Sequence, residues 1–212
     1  MDDAEQTAAY AQADFSTPHQ FIVDQISRLL PGLPTFARVL DLGCGPADVT
    51  VRLAVAYPGW QIDGVDGAPA MLDQGRERVV EAGLAARIRL YLTRLPGDRL
   101  PGLGYDVVVS NSLLHHLHEP QVLWRTVRVA AATGAAVYVT DLRRPRDEAS
   151  LQRLVEAHSS PSPVVLRRDF EASLRAAFTV GEVRHQLSAG GLGGLTVEEL
   201  TDRHLAVFGC VT

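Results

Sequence analysis

The chain has 212 residues, 46% of them hydrophobic and 21% charged, which is the composition of an ordinary globular protein with room for one sizeable core, not of a disordered or fibrous chain. Its formal net charge of −5 supplies no global attraction for a polyanion and argues against nucleic acid as a partner. All 20 basic residues are arginine, so the pyridoxal-phosphate Schiff base, the Walker A loop and the kinase site are excluded together, since each needs a lysine amine.

The chain starts acidic, Met1-Asp2-Asp3-Ala4-Glu5, with no apolar run that would read as a signal peptide. Residues 4–12 and 17–30 carry helical patterning. In the second stretch Phe21, Ile22, Ile26, Leu29 and Leu30 recur at helical spacing, and Pro31-Gly32-Leu33-Pro34 stops it. A strand follows at 37–42, a glycine turn at 43–46, a helix at 47–57 and a strand at 61–66. Then come a helix at 68–82, a strand at 87–93, a Pro/Gly-rich loop at 95–104 and a strand at 105–110. A helix at 119–132 leads to a strand at 135–141. Helices at 147–158, 168–178 and 180–189 precede two strands, 195–201 and 204–210.

Alternating strands and helices predict a mostly parallel sheet covered on both faces, a doubly wound three-layer αβα arrangement. The last two strands are joined by a turn too short for a crossover and must be antiparallel. One strand of the sheet therefore runs against the rest. No stretch is long and apolar enough to span a membrane. The two cysteines, Cys44 and Cys210, provide neither a disulfide framework nor a metal cluster, and a reduced cytoplasmic setting is expected.

The strongest chemical signal is Val39-Leu40-Asp41-Leu42-Gly43-Cys44-Gly45-Pro46. Its glycines permit a tight turn and close ligand approach, and the following helix offers unpaired N–H groups. Asp41 just before the turn would repel a pyrophosphate but suits a cationic amino acid. Asp48 also stands where a dinucleotide fingerprint has its third glycine. Asp66 ends the second strand about 20 residues further on, where a carboxylate can hold both ribose hydroxyls, while Asp63 points to the other pleat.

These segments resemble the class I S-adenosylmethionine-dependent methyltransferases of the small-molecule branch. VLDLGCGPADVT is similar to their first motif, GVDGAPAML to their second and YDVVVSNSLLHHL to their fourth-strand motif. The resemblance implies a Rossmann-like seven-stranded sheet and S-adenosylmethionine as cofactor, with S-adenosylhomocysteine as product and no metal. It also implies that Asp41, Gly43, Cys44 and Gly45 surround the methionine part. Asp66 then binds the ribose, Gly67 and Met71 line the adenine side, and Asn111 and Ser112 lie beside the sulfonium. Where the family often has Asp-Ala after strand three, this chain has Arg94-Leu95. Arg accepts no hydrogen bond, so packing on Leu95 and a backbone group are expected to hold the adenine.

His115, His116 and His118 follow the fourth strand at the crevice where open α/β folds bind ligands. His115 or His116, with Asn111, is a candidate for catalysis, as a base for an O or N nucleophile. If the segment is helical, His115 and His118 share a face. Tyr10 and Phe15 in the N-terminal helical stretch are candidate lid residues. Arg143, Arg144, Arg167 and Arg168 are candidate clamps for an acidic substrate.

The expected organisation is one domain over 1–212. It comprises a helical lid (1–34), a cofactor-binding half (35–142), inserted helices on the substrate side (143–178) and a helix with hairpin (179–212). The expected function is methyl transfer to an O, N or C atom of a small molecule, by a monomer or homodimer. Non-methylating use of the same cofactor and a non-catalytic cofactor-binding subunit remain open; a nicotinamide dehydrogenase is disfavoured by Asp41 and Asp48.

Overall fold

The computed structural model describes residues 16–159 and 163–212. The helix expected at 4–12, with Tyr10 and Phe15, lies outside them. The described elements are α1 (Ser16–Leu29), β1 (Phe36–Leu42), α2 (Asp48–Ala56), β2 (Gly59–Asp66), α3 (Pro69–Glu81), β3 (Ile88–Leu92) and β4 (Tyr105–Asn111). A one-turn 3-10 helix (Leu114–His116), α4 (Gln121–Ala130), β5 (Ala131–Leu142), α5 (Glu148–Ser159), α6 (Val164–Ala176), α7 (Val180–Ala189), β6 (Thr196–Glu199) and β7 (His204–Cys210) follow.

Seven strands form one sheet in the order β3-β2-β1-β4-β5-β7-β6. β1 to β5 pair in parallel, and β7 runs antiparallel to both β5 and β6. The single reversed strand expected from the short final connection is therefore β7.

Alternation along the central strands sends successive residues to opposite faces. Val39, Val107 and Val109 join one core with Ile22 and Ile26 of α1, Leu53 of α2 and Val79 of α3. Leu40, Leu42, Val108 and Val139 join the other with Leu123 and Trp124 of α4 and Val183 and Leu187 of α7. The two tryptophans are core residues: Trp60 donates its indole N–H to the Pro34 carbonyl and Trp124 to Gln186. The inserted helices carry a small third core, in which Leu151 and Val155 of α5 and Leu174 of α6 meet Leu142 at the end of β5.

Two elements start four residues earlier than the sequence expectation. β5 begins at Ala131, because this residue pairs with Tyr105 directly after α4 and leaves no connecting loop. α6 begins at Val164, not 168. The β-branched pair Val164-Val165 hides a helical start, whereas Phe170 and Leu174 supply the buried i, i+4 stripe that holds the helix in place.

Candidate functional site

The strand order reverses between β1 and β4, and the crevice lies above the carboxyl ends of these strands. Leu42 pairs with Val65 on one side and Ser110 on the other. Gly43, Asp66 and Asn111 therefore leave the sheet side by side. The Ser110 hydroxyl donates to the Leu42 carbonyl at 2.8 Å and locks the two strands at the reversal.

The glycine turn is fixed by backbone bonds: the N–H groups of Gly43 and Cys44 both donate to the Val65 carbonyl. Gly43 (φ +75°) would place any Cβ 3.0 Å from Leu113, and Gly45 has φ +52°. Both positions thus favour glycine, the first for space as well as conformation. The Cys44 side chain packs under β2, close to where a Cβ on Gly64 would lie, so its backbone is the part that faces a ligand. Asp66 accepts from the Gly45 N–H at 2.9 Å and the Ala68 N–H at 2.8 Å, one per carboxylate oxygen. Each oxygen keeps a lone pair for a ribose hydroxyl. Asp63 instead accepts from the Tyr105 hydroxyl, confirming its different pleat.

Asp41 is buried beneath the turn, and the Thr50 hydroxyl of α2 donates to it at 2.6 Å. Burial raises its pKa to about 6, the Thr50 bond opposes that, and the nearby Asp66 charge adds to the rise. A buried carboxyl with an elevated pKa, at the foot of a glycine cradle, fits the ammonium of an amino acid ligand.

On the β2–β3 side, Met71 of α3 is buried, and a Cβ on Gly67 would lie 3.6 Å from the Arg94 side chain. Arg94 donates its N–H to Asp98, and Leu95 packs on the second core. Of the residues expected on the adenine side, the structure thus brings Gly67 and Arg94 next to each other.

On the β4–β5 side, Asn111 ends its strand and Ser112 adopts a left-handed φ of +54°. The Ser112 N–H donates to the Thr140 carbonyl of β5. The histidines do not lie on an α-helix. The 3-10 turn covers only Leu114–His116, and the ring that meets His115 is that of His116, at 4.0 Å between centroids, not His118. Two buried partners set this geometry: Asp141 takes the Nδ1 of His115 at 2.6 Å, their side chains 1% and 5% exposed. His116 is exposed. Desolvation and the adjacent His115 push its pKa down to about 4, against the opposing pull of the Asp141 charge.

The arginines after β5 are occupied elsewhere. Arg144 pairs with Glu182, which also forms the capping box of α7 with Thr179. Arg143 donates to the Asp202 carbonyl and pairs with Glu199, reaching past β7 and away from the crevice. Arg167 and Arg168 on α6 have no side-chain partner among the described residues, and α6 packs against the His115 turn.

Three contributors went unnoticed in the sequence. Thr50 and Asp141 are distant in sequence from the carboxyl and imidazole they hold. Asp48, noted above only as a missing glycine, binds His19 of α1 at 2.6 Å and Arg52 at 2.8 Å. Burial alone would raise its pKa, but these two bonds outweigh burial and hold it well below the usual carboxylate range. The His19 contact ties α1 to α2, the helix that follows the glycine turn, while the Arg52 pair lies within α2. Among the described residues no cluster of His, Cys, Asp or Glu is arranged to hold a metal.

The fold and crevice define an open α/β protein with a glycine turn, a strand-end carboxylate and a buried carboxyl gathered at the reversal of strand order. Residues 40–137 match the family model of a methyltransferase domain. A trans-aconitate 2-methyltransferase of Rhodococcus jostii is 36% identical over 102 residues, 48% of this chain and 37% of that protein. One from Variovorax paradoxus is 32% identical over 133 residues, 62% of this chain and 48% of that protein. The chain thus matches half or less of the length of these relatives. A crystal structure of a SAM-dependent methyltransferase from Aquifex aeolicus superposes with a TM-score of 0.70 at 16% identity, covering 98% of each chain. Residues 40–137 are thus similar to a methyltransferase domain, and the described chain shares the fold of a SAM-dependent methyltransferase.

Proposed function

We propose that the protein transfers the methyl group of S-adenosylmethionine to a carboxylate oxygen of a small polycarboxylic acid, trans-aconitate or a close analogue. The observation that carries this reading is the identity, above 30%, to two proteins named for methylation of that acid. Bound cofactor supplies an electrophilic methyl on a sulfonium. Asp41 and the glycine turn hold the methionine part, Asp66 the ribose, and Met71, Arg94 and Leu95 the adenine. Asn111 and Ser112 wall the reacting side, and Arg167 and Arg168 are the cations on hand for the remaining carboxylates of the substrate.

A carboxylate arrives ionised at neutral pH. It has no proton to remove, so alignment for in-line attack and exclusion of water provide the acceleration. The deep burial of His115 suits a supporting role better than that of a base exchanging protons with bulk water. The test is product analysis by mass spectrometry with S-adenosylmethionine and a panel of di- and tricarboxylic acids. A methyl ester with a rate level from about pH 6 to 8 is expected. Formation of S-adenosylhomocysteine without ester, or a rate climbing through the imidazole range, would overturn the carboxylate reading.

A further inference from the structure

We infer that Asp141 is a positioning residue for methyl transfer, holding the Asn111–His116 wall and the tautomer of His115. The inference rests on the methyltransferase reading above. Asp141 sits near the end of β5, 1% exposed, and its two oxygens meet four N–H donors. Oδ1 accepts from His115 Nδ1 at 2.6 Å and the Leu142 N–H at 2.7 Å. Oδ2 accepts from the Leu114 N–H at 2.7 Å and, at a longer 3.4 Å, the His115 N–H. One carboxylate therefore stitches the 3-10 turn, the imidazole and its own strand into a unit.

Backbone donors on both oxygens commit the carboxylate to accepting, so the proton between Asp141 and His115 sits on Nδ1. The other ring nitrogen, Nε2, is left with its lone pair, and the orientation of the ring is fixed. The turn is hung from β5 at two successive residues, since the Ser112 N–H donates to Thr140, the neighbour of Asp141. Ser112, the first anchored residue and two positions before Leu114 at the second, has φ +54°, a backbone conformation that a non-glycine residue keeps only when its surroundings impose it. Asn111 precedes it directly. Loosening the Asp141 anchor lets Ser112 relax, and the wall beside the reacting methyl shifts with it. A displacement of about 1 Å at a reacting centre costs about 10²-fold in rate. Among the described residues Asp41, Asp66 and Asp141 share no hydrogen-bond partner, so cofactor affinity should stay.

The experiment combines Asp141→Asn, which keeps the side-chain size, with His115→Gln, which keeps Asp141 and its backbone donors. Long-range ¹⁵N–¹H NMR of histidine-labelled parent protein should show His115 with its proton on Nδ1, and in Asp141→Asn that proton should move to Nε2. Both variants should bind S-adenosylhomocysteine within about threefold of the parent, and kcat for ester formation should fall by roughly 10²-fold. A parent Nε2–H tautomer would overturn the proposal even if Asp141→Asn does not fold. So would an unchanged kcat in either variant, or a loss of S-adenosylhomocysteine binding that matches the loss of rate. If the protein esterifies no carboxylic acid, the acceptor reading fails while the tautomer and affinity measurements still decide the role of Asp141.

Discussion

The two sides of the crevice are built differently. On the β1–β2 side, the polar groups are tied to backbone: the turn and the strand end hold one another. The glycine turn folds back on Val65, and Asp66 caps the turn and the start of α3. On the β4–β5 side, side chains are spent on one another or on a neighbouring turn: His115 on Asp141, Arg144 on Glu182 and Arg143 on the β6–β7 turn. The first side presents polar groups anchored on backbone to the crevice. The second is a scaffold whose side-chain hydrogen bonds and ion pairs shape a wall against which α6 packs.

This difference sets the expected hierarchy of effects. The largest belongs to Asp66→Ala, which should weaken S-adenosylhomocysteine binding by about 2–4 kcal/mol because two ribose hydroxyls lose a charged acceptor. Asp63→Ala serves as its control. It removes the partner of Tyr105 and should lower stability by about 1 kcal/mol while leaving affinity near the parent value. Calorimetric titration showing equal affinity losses would break the distinction between the two pleats.

Next come the glycines. Gly43→Ala must adopt φ +75° with its Cβ 3.0 Å from Leu113, whereas Gly45→Ala meets open space at φ +52°. Denaturant unfolding should show the first destabilised by about 2–3 kcal/mol and the second by about 1. Equal costs would mean that Leu113 moves freely aside.

Asp41 gives the pH dependence. Its folded pKa is raised to about 6, so its contribution to the stability of the ligand-free protein is fully present below its unfolded pKa. That contribution is lost as pH rises through about 6. The ammonium of the cofactor favours the ionised form, so binding near pH 6 should release a proton, and binding at pH 8 should release almost none. Titrations in buffers of different ionisation enthalpy measure this directly. Proton uptake at pH 6 would place another group against the ammonium.

The smallest effect belongs to Arg144→Ala. The Arg144–Glu182 pair is partly exposed on both sides, so its loss should cost no more than about 1 kcal/mol in thermal unfolding. Acceptor KM should be unchanged. A large rise in KM would return Arg144 to the substrate clamp suggested by its sequence neighbourhood.

What the sequence disclosed follows the same division. Asp41, Gly43, Gly45 and Asp66 were readable because turn geometry and strand ends are local properties, written within a few consecutive residues. The reversed strand β7 was readable because a short connection leaves one topology. Asp141 was invisible: an aspartate ending a strand carries no sign that it will meet a histidine 26 positions earlier. The clamp assigned to Arg143 and Arg144 was a reading of composition, and only the packing of the β6–β7 turn and α7 reveals where those charges go. The α-helical spacing applied to the histidines missed because the Asp141 anchor favours a single 3-10 turn, which brings His116, not His118, to the ring of His115.

The central claim, that the β1–β4 crevice is built for S-adenosylmethionine and not for a dinucleotide, is tested most directly by titrating the purified protein with S-adenosylhomocysteine and, separately, with NAD. Saturable heat with S-adenosylhomocysteine, abolished or much weakened in Asp66→Ala, and no heat with NAD is the predicted result. Tighter binding of NAD than of S-adenosylhomocysteine would contradict it.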